Sequence, residues 1–186
     1  MRDYAIASGG GRMLITMDRY QAEWDMVEAG WNTHVLGDAP RFGSAKAAIE
    51  TAYEDPDLID QYIAPFVIDD DNGDPIGTIN DGDSVVLFNF RGDRAIELSQ
   101  AFDYDEFIHF ERQRRPDVLF AGMMQYDGDL KIPTHYLVQP PQIDGSVAEC
   151  MCANGIKTLA RLYRLINQTS TLCKYTPRTQ RIMTDF

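Results

Sequence analysis

The feature that most constrains the fold is an uninterrupted run of four apolar residues, Val85–Phe88. A strand with one face in water alternates apolar and polar residues, so this run predicts that the strand Ser84–Phe90 is buried on both faces. A second run predicts another buried strand at Val118–Met124. Helical patterns alternate with these strands along the chain. The sequence therefore predicts an α/β fold, with a layered mixed sheet and flanking helices.

The clearest helical pattern lies between residues 20 and 31. Four large apolar residues recur there at a spacing that places them on one helix face: Tyr20, Trp24, Val27 and Trp31. Asp18 can cap this helix. A second helix is predicted over residues 44–53, with Ser44 as its cap and with three residues facing inward: Ala48, Ile49 and Ala52. A third helix is predicted over Arg91–Ala101, directly after the first buried strand.

Four shorter strands are predicted, at Tyr4–Ala7, Met13–Met17, Phe66–Ile68 and Ile76–Ile79. The glycine-rich segment Ser8–Gly11 between the first two is expected to be a tight turn or loop. An acidic segment separates the last two and has the composition of a turn.

The charge and cysteine content exclude several classes of protein. The net charge of −12 argues against nucleic acid or an anionic membrane as a main partner. No apolar run approaches the ~18 residues of a membrane span, and the N-terminus lacks a signal-peptide pattern. The three cysteines, Cys150, Cys152 and Cys173, form neither a disulfide framework nor a zinc motif. These features favour a reducing, cytoplasmic location.

The sign of the charge changes near the C-terminus. Residues 160–186 carry five basic residues and one acidic residue, a net charge of +4, whereas residues 1–159 carry −16. Such a change indicates a segment of different origin or a disordered end. We therefore predict one domain over residues 1–159 and a divergent basic tail over residues 160–186.

Other candidate sites have weak support. The acidic stretch Asp69–Asp83 does not match a calcium-binding EF-hand loop in either register of its glycines, so a solvated hairpin is the better interpretation. The three histidines, His34, His109 and His135, have neither metal-ligand spacing nor a catalytic-triad order, which favours surface or structural roles. We predict no catalytic residue and no metal ligand in this chain.

Four arginines are more informative. Arg12 follows the glycine-rich segment, Arg19 precedes the first predicted helix, and Arg91 and Arg94 directly follow the first buried strand. Ligands of open α/β sheets bind at the carboxyl ends of strands, and a guanidinium group pairs with two oxygens of a carboxylate or phosphate. From spacing alone, an anion site and a set of surface salt bridges both remain open.

Several motifs, in order from about Tyr4 to about Leu159, resemble those of cofactor-independent phosphoglycerate mutase. The motifs are Ala7–Arg12, Met17–Tyr20, Trp24-Asp25, Gln61-Tyr62, Pro65–Ile68, Asp81–Asp83, Phe88–Arg94, Gly122-Met123 and Gln125–Gly128. The resemblance implies an isomerase that interconverts 3-phosphoglycerate and 2-phosphoglycerate in glycolysis through a phosphoserine. It also implies two α/β domains. A phosphatase-like domain holds the serine and two Mn²⁺ or Mg²⁺ ions, and this chain resembles most of the phosphotransferase domain inserted into it.

The resemblance assigns substrate-binding roles to Arg12 and Arg19 as a first pair, and to Arg91 and Arg94 as a second. Gly92 departs from the proline or alanine usual in the second motif. The family's serine nucleophile, metal ligands and lysine lie in the phosphatase-like domain, which is missing here. We therefore expect substrate binding without turnover by this chain alone.

The resemblance ends where the charge changes sign. After Asn154–Thr158 the family continues into a Ser-Glu-Thr segment, whereas this chain continues with Leu159–Tyr163. Our hypothesis is a truncated or frame-shifted product. The alternative is a non-catalytic remnant, or a binding module that associates with a separate phosphatase-like chain.

Overall fold

The computed structural model describes residues 4–139, 145–155, 159–163, 170–176 and 179–183. The chain divides into two compact units, Met1–Gln139 and Pro140–Phe186. The described part of the first unit contains six short strands: β1 Ser8–Gly9, β2 Arg41–Phe42, β3 Phe66–Ile68, β4 Ser84–Leu87, β5 Leu119–Gly122 and β6 His135–Tyr136. Its three α-helices are α1 Trp24–Trp31, α2 Ala45–Ala52 and α3 Ile96–Asp103. The predicted α/β class is confirmed.

The strands of this unit form two small sheets. In the first, β3 lies between β1, to which it is antiparallel, and β2, to which it is parallel. In the second, β5 lies between β4 and β6, and all three strands are parallel. The first sheet is therefore mixed, and the second is parallel.

The main core lies between α1, α3 and β5. It is formed by seven buried residues, Val27, Trp31, Val35, Leu98, Ala101, Phe102 and Phe120. The Trp31 and Phe102 rings lie 4.8 Å apart, and the Trp31 indole N–H donates to the Arg112 carbonyl at 3.0 Å. Burial of aromatic rings contributes most of the stabilisation in such a core. A smaller cluster of Ala48, Ile63, Phe66 and Ile68 lies beneath α2.

The first predicted helix is confirmed only in its second half. α1 begins at Trp24, whereas Tyr20 precedes it, has a φ of 67° and is 48% exposed. Asp18 does not cap the helix. Its carboxylate instead accepts a hydrogen bond from the Glu23 amide, ahead of the helix. Consequently, the residues between Asp18 and Glu23 form a turn.

The second helix and its cap are confirmed. The Ser44 hydroxyl accepts a hydrogen bond from the Ala47 amide at 3.1 Å, and Ala48 is buried. Ile49 and Ala52 pack against the same cluster. The strand prediction for Phe66–Ile68 is also confirmed.

Three predicted short strands are wrong. Pairing in the N-terminal segment falls on Ser8–Gly9 and not on Tyr4–Ala7. A Cβ on Gly9 would lie 2.5 Å from the Phe66 ring, so only glycine lets this strand approach β3 so closely. Residues 13–17 form a turn in which the amides of Leu14 and Ile15 bond back to the Gly11 carbonyl, and residues 76–79 contain no strand.

The predicted strand Ser84–Phe90 ends at Leu87 and is not buried on both faces. Within the described ranges it pairs only with β5, and its residues alternate between exposed and half-buried. Val86 is 48% exposed, and Phe88, beyond the strand, is 84% exposed. The apolar run therefore belongs to an edge strand. β5, predicted as Val118–Met124, is confirmed as a shorter, mostly buried strand.

In the second unit the structure describes helix α4, Val147–Ala153, and three strands: β7 Leu159–Tyr163, β8 Ser170–Thr176 and β9 Thr179–Met183. The strands form an antiparallel sheet in the order β7-β8-β9. The described parts of the predicted basic tail therefore lie in strands. The division of the chain at residue 159 stays a prediction. No helix within the described ranges is long and apolar enough to cross a membrane.

Candidate anion-binding site

One pocket of the first unit, with a volume of about 580 Å³, is lined by all four of the arginines selected from the sequence. Its lining residues are Arg12, Met17, Arg19, Asn89, Arg91, Asp93 and Arg94. They come from two segments of the chain, residues 12–19 and residues 89–94. We call this cavity the arginine pocket. The role of its arginines in substrate binding stays a prediction.

The first segment is held by contacts with residues 61–63. The Gly11 amide donates to the Ile63 carbonyl at 2.7 Å, and a Cβ on Gly11 would lie 2.4 Å from the Gln61 carbonyl oxygen. Glycine is therefore required for this close approach. The Gln61 side-chain oxygen then accepts from Arg12 Nη2 at 3.0 Å and from Nε at 3.3 Å. Through this contact, Gln61 orients the Arg12 guanidinium.

The second segment is a turn that follows β4. The Tyr126 hydroxyl lies 2.9 Å from the Leu87 carbonyl and 2.8 Å from the Asn89 carbonyl, to either of which it can donate. It also accepts a hydrogen bond from the Met123 amide at 3.1 Å. Tyr126 thus ties the end of β4 to the segment after β5 and fixes the start of the arginine-bearing turn.

The predicted helix Arg91–Ala101 begins later than expected. Arg91 has extended backbone, Gly92–Arg94 form one 3₁₀ turn, and α3 begins at Ile96. The two arginines therefore do not share the first turn of an α-helix. A 3₁₀ turn has three residues per turn, so it also brings Arg91 and Arg94 to neighbouring positions.

Arg94 connects the two segments. Its Nη1 donates a short hydrogen bond to the Met17 carbonyl, and the side chain is half-buried. The Asn89 amide nitrogen adds a weak contact with the Met17 sulfur at 4.0 Å. A charged donor to a neutral carbonyl makes a stronger hydrogen bond than a neutral donor does. This arginine therefore both lines the pocket and holds its two halves together.

Asp93 is the one carboxylate among the lining residues. Its Oδ2 lies 3.0 Å from Arg91 Nη2 and 3.8 Å from Arg19 Nη1. Both arginine side chains are substantially exposed, 74% for Arg91 and 43% for Arg19, so these ion pairs contribute little stability. Four guanidinium groups against one carboxylate make the pocket locally positive, although the whole chain is strongly acidic.

Comparison with known proteins identifies the family. The family model described as "BPG-independent PGAM N-terminus" matches residues 1–128.

The chain belongs to this family. A probable 2,3-bisphosphoglycerate-independent phosphoglycerate mutase from Leptospira interrogans is 58% identical over 159 residues, which are 85% of this chain and 29% of that protein. The 2,3-bisphosphoglycerate-independent phosphoglycerate mutase of Prunus dulcis is 52% identical over 159 residues, which are 85% of this chain and 33% of the relative.

A solved structure supports the same assignment. The crystal structure of Leishmania mexicana phosphoglycerate mutase at low cobalt concentration matches with a TM-score of 0.75 and 55% identity. The match covers 82% of this chain and 28% of that one. The resemblance inferred from the motifs is confirmed, and this chain matches a portion of these enzymes, about a third of their length.

A buried carboxyl group lies close to the arginine pocket in the sequence. It belongs to Glu97 on α3, three residues after Arg94, and it is 2% exposed. Its Oε1 accepts a hydrogen bond from the Gln21 amide at 2.9 Å, whereas Oε2 is buried without a partner. Burial raises the pKa of Glu97, and the nearby charges of Asp18 and Asp93 raise it further, against the lowering effect of the bond from Gln21.

The histidines lie outside the pocket lining. His34 Nδ1 is 2.8 Å from the Ser8 hydroxyl, and burial lowers the pKa of His34. His109 stacks on Trp24 with ring centroids 3.7 Å apart, and burial lowers its pKa too. His135 lies on β6. Among the described residues, no group of three or more His, Cys, Asp or Glu side chains could hold a metal ion.

Four residues that support the arginines were not predicted from the sequence: Gln61, Asp93, Glu97 and Tyr126. Asp93 had a local signal, because it stands between two candidate arginines. The sequence signal for Glu97 was weaker: it is an acidic residue that directly precedes the core residue Leu98 on a helix. Gln61 and Tyr126 lie in motifs that carry the family resemblance, but nothing in their spacing indicates which arginine each supports.

Proposed function

We propose that the arginine pocket binds a phosphoglycerate and that this chain is the substrate-holding portion of a 2,3-bisphosphoglycerate-independent phosphoglycerate mutase. The observation that supports this best is the convergence of Arg12, Arg19, Arg91 and Arg94 on one pocket. In this proposal the complete enzyme interconverts 3-phosphoglycerate and 2-phosphoglycerate in glycolysis and is cytoplasmic.

The chemistry of the ligand matches the pocket. Phosphoglycerate has a carboxylate at one end and a phosphate group, so it presents two sets of oxygens to planar guanidinium groups. Arg12 and Arg94 are oriented by Gln61 and by the Met17 carbonyl, and they can hold an oxyanion in a fixed place. Arg19 and Arg91 share one carboxylate partner, Asp93, and can follow the ligand as it reorients.

A divalent metal does not fit this pocket. Its lining has one carboxylate among four guanidinium groups, and that charge arrangement repels Mn²⁺ or Mg²⁺, which bind oxygen-rich anionic sites. We propose that the metal ions and the nucleophilic serine of the reaction belong to a phosphatase-like domain, and that this chain alone has no turnover. Its residues bind and orient the substrate.

A second candidate function is a binding module that associates with a separate phosphatase-like chain. Two exposed aromatic side chains beside the pocket favour it: Phe88 is 84% exposed and Phe90 is 79% exposed. Exposed rings next to a ligand site are typical of an interaction surface. Gel filtration with a separately expressed phosphatase-like domain distinguishes the two, because only the binding module forms a stable complex across two chains.

The test of the main proposal is a calorimetric titration of the full 186-residue chain with 3-phosphoglycerate. The wild-type chain is expected to bind one equivalent saturably. The Arg91→Ala/Arg94→Ala variant is expected to lose at least about 100-fold in affinity, since two charged contacts are removed. Arg41→Ala is the matched control, because Arg41 pairs with Asp69 outside the pocket.

Inorganic phosphate and glycerate are titrated in parallel. Each carries only one of the two anionic groups, so each is expected to bind more weakly than 3-phosphoglycerate. Absence of saturable binding by the wild-type chain would contradict the proposal. If Arg41→Ala loses as much affinity as the Arg91→Ala/Arg94→Ala variant, the loss reflects the positive charge of the chain in general and not the arginine pocket.

A further inference from the structure

The turn that carries Arg19 has an unusual backbone. Tyr20 and Gln21, the two residues after Arg19, have φ angles of 67° and 56°. Neither is glycine, and a left-handed conformation costs such residues on the order of 1 kcal/mol or more each. Both residues are exposed, so burial of their side chains does not offset that cost. Contacts with the rest of the protein must hold the turn.

Two buried carboxylates hold the turn through its backbone. On one side, Glu97 of α3 accepts from the Gln21 amide at 2.9 Å. On the other, Asp18 accepts from the Glu23 amide at 3.0 Å. Asp18 is 4% exposed, and it lies within the same segment as the turn. Of the two, only Glu97 ties the turn to another element of the fold, the helix that follows Arg94.

Stability alone does not explain a carboxyl group at position 97. Glu97 Oε2 is buried without a hydrogen-bond partner, and the carboxyl group as a whole lies near the charges of Asp18 and Asp93. An apolar side chain of similar size would avoid this desolvation cost. What the carboxyl group provides, and an apolar group cannot, is an acceptor for the Gln21 amide.

We propose, on the basis of the function proposed above, that Glu97 is a positioning residue for Arg19. By accepting the Gln21 amide, Glu97 holds the left-handed turn at residues 20–21. That turn directs the Arg19 guanidinium toward Asp93, at the edge of the arginine pocket. Glu97 itself does not line the pocket. It therefore does not contact the ligand itself, and we expect its effect on binding to pass through Arg19.

Two variants separate the acceptor from the charge. Glu97→Gln keeps a side-chain oxygen that can accept from Gln21 and removes the charge, whereas Glu97→Met removes the acceptor at similar volume. In titrations with 3-phosphoglycerate, Glu97→Met is expected to weaken binding about tenfold, and Glu97→Gln to stay within about twofold of wild type. Circular dichroism and thermal unfolding verify that both variants fold.

A double-mutant cycle identifies Arg19 as the residue through which Glu97 acts. On an Arg19→Ala background, Glu97→Met is expected to cause no further loss of affinity. On an Arg91→Ala background it is expected to cause its full loss of about tenfold. Equal losses on both backgrounds would overturn the proposal, because they would indicate a general structural effect on the pocket.

A second measurement needs no ligand. The Gln21 amide is expected to be protected from hydrogen exchange in the wild-type chain and in Glu97→Gln, and to exchange at least about tenfold faster in Glu97→Met. The amide of Ala47, held by Ser44, is the internal control. If the wild-type chain does not bind 3-phosphoglycerate, the proposed function fails while this exchange still tests the role of Glu97. Equal exchange of Gln21 in the wild type and Glu97→Met would overturn that role.

Discussion

The two segments that form the arginine pocket are built in different ways. The segment Asn89–Arg94 has regular backbone: it follows an edge strand, makes one 3₁₀ turn and leads into α3, with Tyr126 and Met17 as its distant contacts. The segment Gly11–Gln21 has turns and left-handed residues instead of regular structure, and it depends on contacts with residues far along the chain. Both present two arginines. A binding pocket can therefore join a motif that is visible in the sequence to a loop that only the tertiary structure explains.

The arginines differ in a second respect. In each segment one is held and one is more free: Arg12 and Arg94 have neutral oxygen partners, whereas Arg19 and Arg91 share Asp93. A held guanidinium is preorganised and loses less conformational entropy when a ligand binds. We therefore expect the held arginines to contribute more affinity than the free ones.

The largest expected effect is that of Arg94→Ala. This substitution removes a pocket cation and the bond to the Met17 carbonyl, so the two segments are no longer tied together. Affinity for 3-phosphoglycerate is expected to fall roughly 100-fold, and the free energy of unfolding by about 2 kcal/mol, as for other charged hydrogen bonds. Titration calorimetry and urea unfolding measure the two effects.

Arg91→Ala is the matched control. The Arg91 side chain is 74% exposed and, among the described residues, bonds only to Asp93 within its own turn. A smaller loss of affinity and no measurable loss of stability are therefore expected. If both single variants lose affinity and stability equally, the distinction between held and free arginines is wrong.

The next effect is that of Tyr126→Phe, which removes the hydroxyl that ties the Asn89–Arg94 segment in place. The loss of these partly buried hydrogen bonds is expected to cost about 1 kcal/mol of unfolding free energy, and affinity is expected to fall with it. Tyr62→Phe is the control, since Tyr62 is 45% exposed. Thermal and urea unfolding measure the change. If Tyr126→Phe has the wild-type free energy of unfolding and the wild-type affinity, the 3₁₀ turn is held by its own backbone.

A smaller effect, of opposite sign, is expected for Asp93→Asn. Removing the carboxylate leaves Arg19 and Arg91 without their shared partner and makes the pocket more positive. Affinity for inorganic phosphate is expected to rise about threefold at low salt and to return toward wild type at high salt, as screening increases. Titrations at two salt concentrations measure this. A fall in affinity would mean that Asp93 orients the free arginines more than it competes with the anion.

The smallest effect concerns pH and β1, which precedes the Gly11–Gln21 segment and in which Ser8 bonds to His34. Burial lowers the pKa of His34 below its ordinary value of 6.5. The unfolded chain therefore binds more protons than the folded one as pH falls through 6.5, and stability decreases. His34→Asn can replace Nδ1 with an amide oxygen that does not titrate. The wild type is expected to lose stability relative to this variant between pH 7 and 5, measured by urea unfolding.

Sequence patterns predicted what depends on local order. The Ser44 cap was predicted because a cap and its helix are adjacent, and the Phe66–Ile68 strand because its apolar residues are consecutive. The apolar run at Val85–Phe88 was misleading, since a run shows which residues avoid water but not how many strands flank them. Tyr20 fitted a helical spacing, yet the turn held by Asp18 and Glu97 excludes it from α1.

The sequence by itself determined the α/β class, the family and the four arginines, because each of these depends on residue types in a fixed order. Only the tertiary structure decided how three of these arginines are placed. Gln61 and the Met17 carbonyl hold the guanidinium groups of Arg12 and Arg94, and the turn anchored on Glu97 sets the backbone position of Arg19. These hydrogen bonds join residues 49 to 77 positions apart. Contacts at such separations leave no periodicity in the sequence, because they depend on how the folded segments meet and not on the order of residues within either one.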